Sequence, residues 1–237
     1  MRWKFILGLL TTCAVLMSMS YTMLIPFLPM YLIQDLGVVK ADVDMWSGAI
    51  FAITFLVSGI MAPIWGALAD KKSRKLMALR AGFCLAITYF LGGLVTNPWE
   101  LLGVRFIQGL SAGLWPALLA IISVESPKLK LGFCMGVMQG GMTAGGVLGP
   151  LFGGLLADQF GMRMAFFIAA AALFLITLAL LFFVKEEPRK PDPNAKPVKI
   201  WDFSLCKIPA VKRMLICAGV VQLTILMQQP IMPLYVA

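Results

Sequence analysis

The residue in this sequence best placed to do chemistry is an arginine inside an otherwise uncharged stretch. Arg105-Phe-Ile-Gln108-Gly109 lies within an apolar run. An arginine there costs about 2.5–3.5 kcal/mol on insertion scales, so it should face a protein interior or a watery cavity. On one helix, Arg105, Gln108, Ala112 and Trp115 fall at i, i+3, i+7 and i+10 and share a face. The competing reading is an arginine near a span end that snorkels to the headgroups. A second constellation is Gly66-Ala-Leu68-Ala-Asp70-Lys71-Lys72-Ser73-Arg74-Lys75. Gly66 permits close helix approach. Asp70 can accept hydrogen bonds from the free N–H groups of a facing helix end. Arg74 can pair with a carboxylate, and Glu125 is available. A basic anchor alone explains Lys71 to Lys75 but neither Gly66 nor Asp70. A third is Gly145-Gly-Val-Leu-Gly149-Pro150-Leu-Phe-Gly153-Gly154. With Gly141 it sets glycines four apart, a bare stripe against which another backbone can lie and slide. Pro150 removes a backbone hydrogen bond and is expected to bend the helix.

The residues the sequence lacks narrow the chemistry further. There is no histidine, which removes histidine acid–base catalysis, the common triads and His-ligated metal sites. Cys13, Cys84, Cys134, Cys206 and Cys217 occur singly, without a Cys-x-x-Cys pair, and four lie in apolar runs. They read as small packing residues. No nucleotide loop or cluster of intramembrane acids supports a membrane enzyme. No catalytic residue, metal or cofactor is expected.

The elements that must position these groups are membrane helices. The chain is 60% hydrophobic and 13% charged, where a soluble domain carries about 25% charged residues. Phe5 to Ile33 is uncharged for 29 residues, and Leu131 to Ala157 is also charge-free. Crossing about 30 Å of hydrocarbon takes roughly 20 apolar residues. The first run is too long for a signal peptide and has no small-x-small cleavage site. Seven spans are expected, at 5–33, 45–69, 76–96, 100–123, 131–157, 164–184 and 213–236. Of the 20 Lys and Arg, 16 fall at the N-terminus and in 70–75, 124–130 and 185–213, against Lys40 and Arg163 on the other side. Basic residues favour the cytoplasmic face of short loops, so the N-terminus and the longest loop are expected inside. This placement also accounts for the net charge of +9 without nucleic acid. Arg80 and Arg105 remain within spans. Residues 185–212 carry Pro188, Pro191, Pro193 and Pro197 and read as an extended linker. The stretch from Ile200 to Ile208 is either a short interfacial helix or an irregular amphipathic loop.

Two repeats organise the spans. Gly66-Ala-Leu68-Ala69-Asp70 recurs as Gly154-Leu-Leu156-Ala157-Asp158, on spans of opposite direction, which predicts two three-helix units of inverted topology. Pro26-x-x-Pro29-x-Tyr31 recurs as Pro230-x-x-Pro233-x-Tyr235, on spans of the same direction. Span seven therefore reads as the first helix of a second, parallel half. With these motifs the chain resembles the major facilitator superfamily, and within it the twelve-helix drug:proton antiporters. The 66–75 segment is similar to the family's cytoplasmic loop signature, with Ser73 in place of the usual glycine. The 145–154 segment is similar to the antiporter signature, which in the family marks exporters.

The resemblance implies an all-α polytopic fold, with residues 1–184 as the N-terminal six-helix bundle, 185–212 as the cytoplasmic linker and 213–237 as the start of a C-terminal bundle. It implies a secondary active transporter of the cell membrane that exports lipophilic or cationic small molecules in exchange for protons. Arg105, with Gln108 and Gly109, would then serve proton coupling. Asp70 would dock on a helix of the missing C-terminal half, and the stripe of span five would also face that half. Span one offers Ser18, Tyr21 and Thr22 but no carboxylate, and Asp35 at its outer end reads as solvated. Tyr21, Gln108, Trp115 and Gln139 are the candidate cavity residues, since pockets combine aromatic side chains with a few polar groups. A non-transporting fragment and an exporter of a metabolite such as a sugar or nucleoside are the alternatives.

Overall fold

The structure is a computed structural model that describes residues 2–71, 73–184 and 209–228. Residues 1–190 and 191–237 form separate units. The first unit holds eight α-helices among its described residues: α1 (Arg2–Thr22), α2 (Leu28–Gln34), α3 (Val43–Lys71), α4 (Arg74–Leu94), α5 (Pro98–Leu110), α6 (Leu114–Glu125), α7 (Leu131–Phe160) and α8 (Met162–Phe183). Six helical stretches are long and apolar enough to cross a membrane: Trp3–Thr22, Lys40–Ala69, Arg74–Leu94, Pro98–Glu125, Lys128–Phe160 and Met162–Phe183. They match the first six expected spans.

Two spans are not the single helices expected. Span one is interrupted between Thr22 and Leu28, where Pro26 removes a backbone donor, and Pro29 takes the first turn of α2, where its missing N–H would have no partner. The short α2 that follows is pinned by Tyr31, which is fully buried and donates its hydroxyl to the Gly92 carbonyl at 2.9 Å. Span four breaks at Ser111–Gly113, with Gly113 at φ 116°, a left-handed conformation that glycine tolerates best. The expected shared face of Arg105, Gln108, Ala112 and Trp115 is thereby divided: the first two lie on α5, Ala112 lies in the break and Trp115 on α6.

The helices pack in three main pairs: α1 on α7, α3 on α5 and α4 on α8. In terms of spans these are one with five, two with four and three with six. Exchanging spans one, two and three for four, five and six maps this set onto itself, as two inverted three-helix units require. The pairs are close because small residues face them. A Cβ on Gly92 would lie 2.8 Å from the Phe166 ring, and one on Gly82 would run into Thr177. Buried residues gather in two clusters. One surrounds α2, the C-terminal half of α4 and the N-terminal half of α8 (Leu28, Leu32, Phe166, Leu173), and the other the start of α1 (Ile6, Leu10, Leu118, Met138). Many large apolar side chains remain exposed, among them Val147, Leu151, Leu155, Leu175 and Phe182. Such a surface suits lipid, not water.

The second unit contributes α9 (Pro209–Gln228), which starts four residues before the expected span seven. Proline is tolerated at a helix start, where its missing N–H would have no partner. The Pro230-x-x-Pro233-x-Tyr235 echo and the 200–208 segment lie outside the described residues.

Candidate functional site

Arg105 is 7% exposed and Gln108 is 8% exposed. Arg105 Nη1 donates to Gln108 Oε1 at 2.8 Å, so the guanidinium is turned inward and does not snorkel. Its helix is held tightly to α3. A Cβ on Gly109 would lie 2.8 Å from the Thr54 carbonyl oxygen, and the Thr54 hydroxyl donates to the Arg105 carbonyl at 3.4 Å. Thr88, Tyr89 and Phe166 complete the small enclosed space beside Arg105. Glycine at 109 thus lets α5 sit close enough to α3 for this pair to point into the bundle.

A larger cavity of about 620 Å³ opens next to it, lined from α1, α3, α4, α5, the break after it, α6 and α7. Three of the four candidate cavity residues, Tyr21, Gln108 and Trp115, line it. Gln139 does not; it is exposed on α7. Tyr21 stands edge-on to Phe55 with ring centroids 6.3 Å apart. Ser18, Thr54, Ser58 and Ser111 add polar groups to a mostly apolar wall.

The wall also contains a group that the sequence reading left unassigned. Arg80 Nη2 donates to the Ala112 carbonyl at 2.9 Å, and Trp65 Nε1 donates to the Leu110 carbonyl at 2.8 Å. The guanidinium carbon lies 3.4 Å from the centre of the Trp65 ring, a stacked cation–π arrangement. Two carbonyls freed by the helix break are thus satisfied from α3 and α4, as membrane backbone requires. The charge of Arg80 within a span was the available signal. Its carbonyl partner is 32 residues away in sequence, and Trp65 and Leu110 are 45 apart, so spacing could not name them.

The glycine stripe is a correction. It faces α1 of the same bundle, not a missing half. A Cβ on Gly141 would lie 2.6 Å from Thr11 Cγ2, one on Gly149 2.7 Å from the Met19 carbonyl oxygen, and one on Gly153 2.6 Å from the Met23 carbonyl oxygen. At Gly145 it would run into the Val15 carbonyl. Spacing by four defines a face but not what covers it. Gly154 lies beside the Phe27 ring, and α7 runs unbroken through Pro150.

In the 66–75 motif, Leu68 packs on the cluster around the start of α1, while a Cβ on Gly66 would meet nothing within 4 Å. The close approach expected at Gly66 is therefore not made within this unit. Ser73 caps α4, its hydroxyl accepting from the Leu76 N–H at 3.1 Å. The serine that replaces the usual glycine starts the helix. Arg74 and Lys75 form the first turn of α4, and Lys75 Nζ donates to the Leu181 carbonyl at 2.7 Å. Glu125 ends α6. The side chains of Asp70 and Lys71 lie outside the described residues.

At the opposite end, Asp35 corrects a second expectation. It is not simply solvated: Arg163 Nε donates to its Oδ1 at 3.2 Å, joining the end of α2 to the start of α8. Cys13 and Cys134 are buried free thiols in the core.

A family model of the Major Facilitator Superfamily matches residues 10–237. The chain belongs to the major facilitator superfamily. It is 39% identical over 186 residues to the multidrug resistance protein MdtG of Citrobacter koseri, covering 78% of this chain and 46% of that protein. To the protein of the same name from Yersinia enterocolitica it is 37% identical over 187 residues, covering 78% and 45%. This facilitator chain thus spans about half the length of the curated relatives it matches. Its fold is similar to that of a bacterial homolog of the human lysosomal transporter Spinster, with a TM-score of 0.69 at 23% identity over 87% of this chain and 48% of that one.

Proposed function

We propose that residues 1–184 form the N-terminal bundle of a proton-coupled exporter of lipophilic small molecules that works by alternating access across the cell membrane. The observation that carries this reading is the cavity of about 620 Å³, mostly apolar with a few polar groups, which has the size and character of a small-molecule site. The relatives named multidrug resistance proteins support export of drug-like compounds. In this reading residues 185–212 form the cytoplasmic linker and residues 213–237 begin the second bundle. The Arg105–Gln108 pair responds to the proton, Asp70 latches the cytoplasmic side onto the second half, and Arg74 pairs with Glu125. Export of cations has less support than export of neutral lipophiles. No carboxylate lies among the described residues lining the cavity.

The test is an efflux assay. The product of the complete reading frame is expressed in cells stripped of their own drug pumps, and loss of a preloaded lipophilic dye is followed with and without a protonophore. Export that the protonophore abolishes, and that Arg105→Gln reduces at matched expression, is the expected result. Dye retention equal to that of empty-vector cells, across a panel of neutral and charged dyes, would sink the proposal.

A further inference from the structure

The cavity has a polar corner whose hydrogen-bonding capacity is not used up. Arg80 spends one of five guanidinium N–H donors on the Ala112 carbonyl. Its Nε is buried without any partner. A buried donor left unpaired is unfavourable, so the guanidinium, which lines the cavity, has hydrogen-bonding capacity that a small shift of its side chain would turn to an acceptor there. Opposite the satisfied carbonyls of the helix break stands the start of α6. No side chain caps it, because Gly113 occupies the cap position. The first N–H groups of a helix have no intrahelical acceptor and carry the positive end of its dipole. Gly113, Leu114 and Trp115 all line the cavity. Pro116, next in sequence, has no N–H to offer. The negative end of the break, by contrast, is already covered by Trp65 and Arg80.

The charge in this corner is positive, and no carboxylate stands among the described residues that line it. The cavity thus combines a positive corner with an apolar body lined by Met17, Phe55, Leu85 and Met142. Half-helix starts aimed at anionic groups inside a membrane protein are an established physical solution.

We infer that the Arg80, Trp65 and Gly113 corner is a subsite for an oxyanion, namely the carboxylate, sulfonate or phosphate of a ligand whose apolar part fills the rest of the cavity. Arg80 offers the Nη protons not spent on Ala112, and its Nε–H once the side chain shifts toward the cavity, in the fork that suits two oxygens. Trp65 holds the guanidinium plane by stacking, and the α6 start adds backbone donors. The inference rests on the transport reading for the fate of the ligand, but it makes a separate claim about charge preference.

The test uses the full chain, residues 1–237, in phosphatidylcholine nanodiscs. Binding of octanoate, octanamide and octyltrimethylammonium is measured by equilibrium dialysis and corrected with empty discs. Octanoate should bind about tenfold or more tightly than either of the others, the range expected for one charge-assisted hydrogen-bonded contact. Arg80→Gln should bring octanoate to the level of octanamide. Equal or tighter binding of the cation overturns the inference. So does an Arg80→Gln chain of unchanged helicity and monodispersity that keeps the octanoate preference. If that variant does not fold, the comparison of the three ligands on the unaltered chain decides alone. Inorganic phosphate competing as well as octanoate would overturn the amphipathic part. Replacing phosphatidylcholine by phosphatidylglycerol separates the sources. Blocked octanoate binding assigns the corner to a lipid headgroup, and unchanged binding assigns it to a soluble ligand; either supports the oxyanion site. Efflux that fails while octanoate preference persists counts against the transport reading only. Efflux that works without the preference counts against this inference only.

Discussion

Alanine at Gly149 measures how much the α1–α7 contact depends on its glycines. A Cβ there would stand 2.7 Å from the Met19 carbonyl oxygen and 3.0 Å from the Met23 N, and would also meet Thr22 Oγ1. Two of these three neighbours are backbone, which cannot rotate away as a side-chain tip can. Ordinary contact begins near 3.4 Å, so the helices must part by about 0.7 Å, and a gap of that order forfeits a quarter to a half of the dispersion energy of each contact it opens. Overpacking of a close-packed interface costs about 1–3 kcal/mol. Alanine recovers up to about 1 kcal/mol by its better helix propensity. The net expectation is a loss of up to about 2 kcal/mol, the difference between those two effects. Gly136 on the same helix is the control, since a Cβ there meets nothing within 4 Å. Thermal unfolding of the purified full chain in detergent, followed by loss of the monodisperse peak, should place Gly149→Ala below the unaltered chain and Gly136→Ala level with it or above. Gly145→Ala should cost more, because its Cβ meets the Val15 backbone more closely. The double variant should cost less than the sum, since one separation of the helices relieves both clashes. Equal melting of Gly149→Ala and Gly136→Ala, or full additivity of the pair, would refute the backbone-on-backbone reasoning.

Three further outcomes are expected. The Arg163–Asp35 pair, with side chains 42% and 27% exposed, should show a coupling below about 1 kcal/mol in a double-mutant cycle with Arg163→Gln and Asp35→Asn; a coupling of several kcal/mol would mean it is desolvated. In a background without native cysteines, Lys40→Cys should react with a membrane-impermeant thiol reagent on intact cells and Lys190→Cys should not, and the reverse would overturn the cytoplasmic N-terminus. Asp70→Asn should damage efflux by the complete reading-frame product more than Lys71→Gln, because an aspartate can dock a helix end while a lysine in a basic loop is replaceable; equal losses at matched expression would remove the latch.

What the sequence revealed depended on how local each signal was. The six spans were legible because length and hydrophobicity are properties of contiguous residues. Their inverted grouping was legible from one repeated segment, and the three helix pairs have the symmetry it implies. The helix breaks were half legible. Pro26, Pro29, Gly113 and Pro116 stand in the sequence at both breaks, yet prolines and glycines are common in membrane helices because neighbouring groups can satisfy the freed backbone. Whether the chain breaks depends on whether Trp65 and Arg80 arrive from other helices, and that is a fact of packing. Asp35 likewise finds Arg163 from 128 residues away, beyond anything periodicity can report.

The glycine stripe shows where a motif reading stops and complementarity takes over. Four-residue spacing on α7 established a groove, and the family resemblance suggested the wrong occupant for it. The occupant carries its own periodic signal. Thr11, Val15, Met19 and Thr22 of α1, with Met23 just beyond its end, meet the successive glycines, and spacings of four, four and three keep the first four on one helical face. Most are short or β-branched at the points of contact; at Gly145 and Gly153 the closest approach is to a backbone oxygen, and at Gly141 and Gly149 it is to a threonine side chain with backbone just behind. A groove of glycines calls for a partner that presents its backbone, so the matching face should be sought among helices with small or branched residues at the same period. By that criterion α1 was visible as the partner in the sequence. The consequence is that Gly145 and Gly149 act first in holding span five to span one. Any role they have in exchange between two halves must work through the rigidity of that pair.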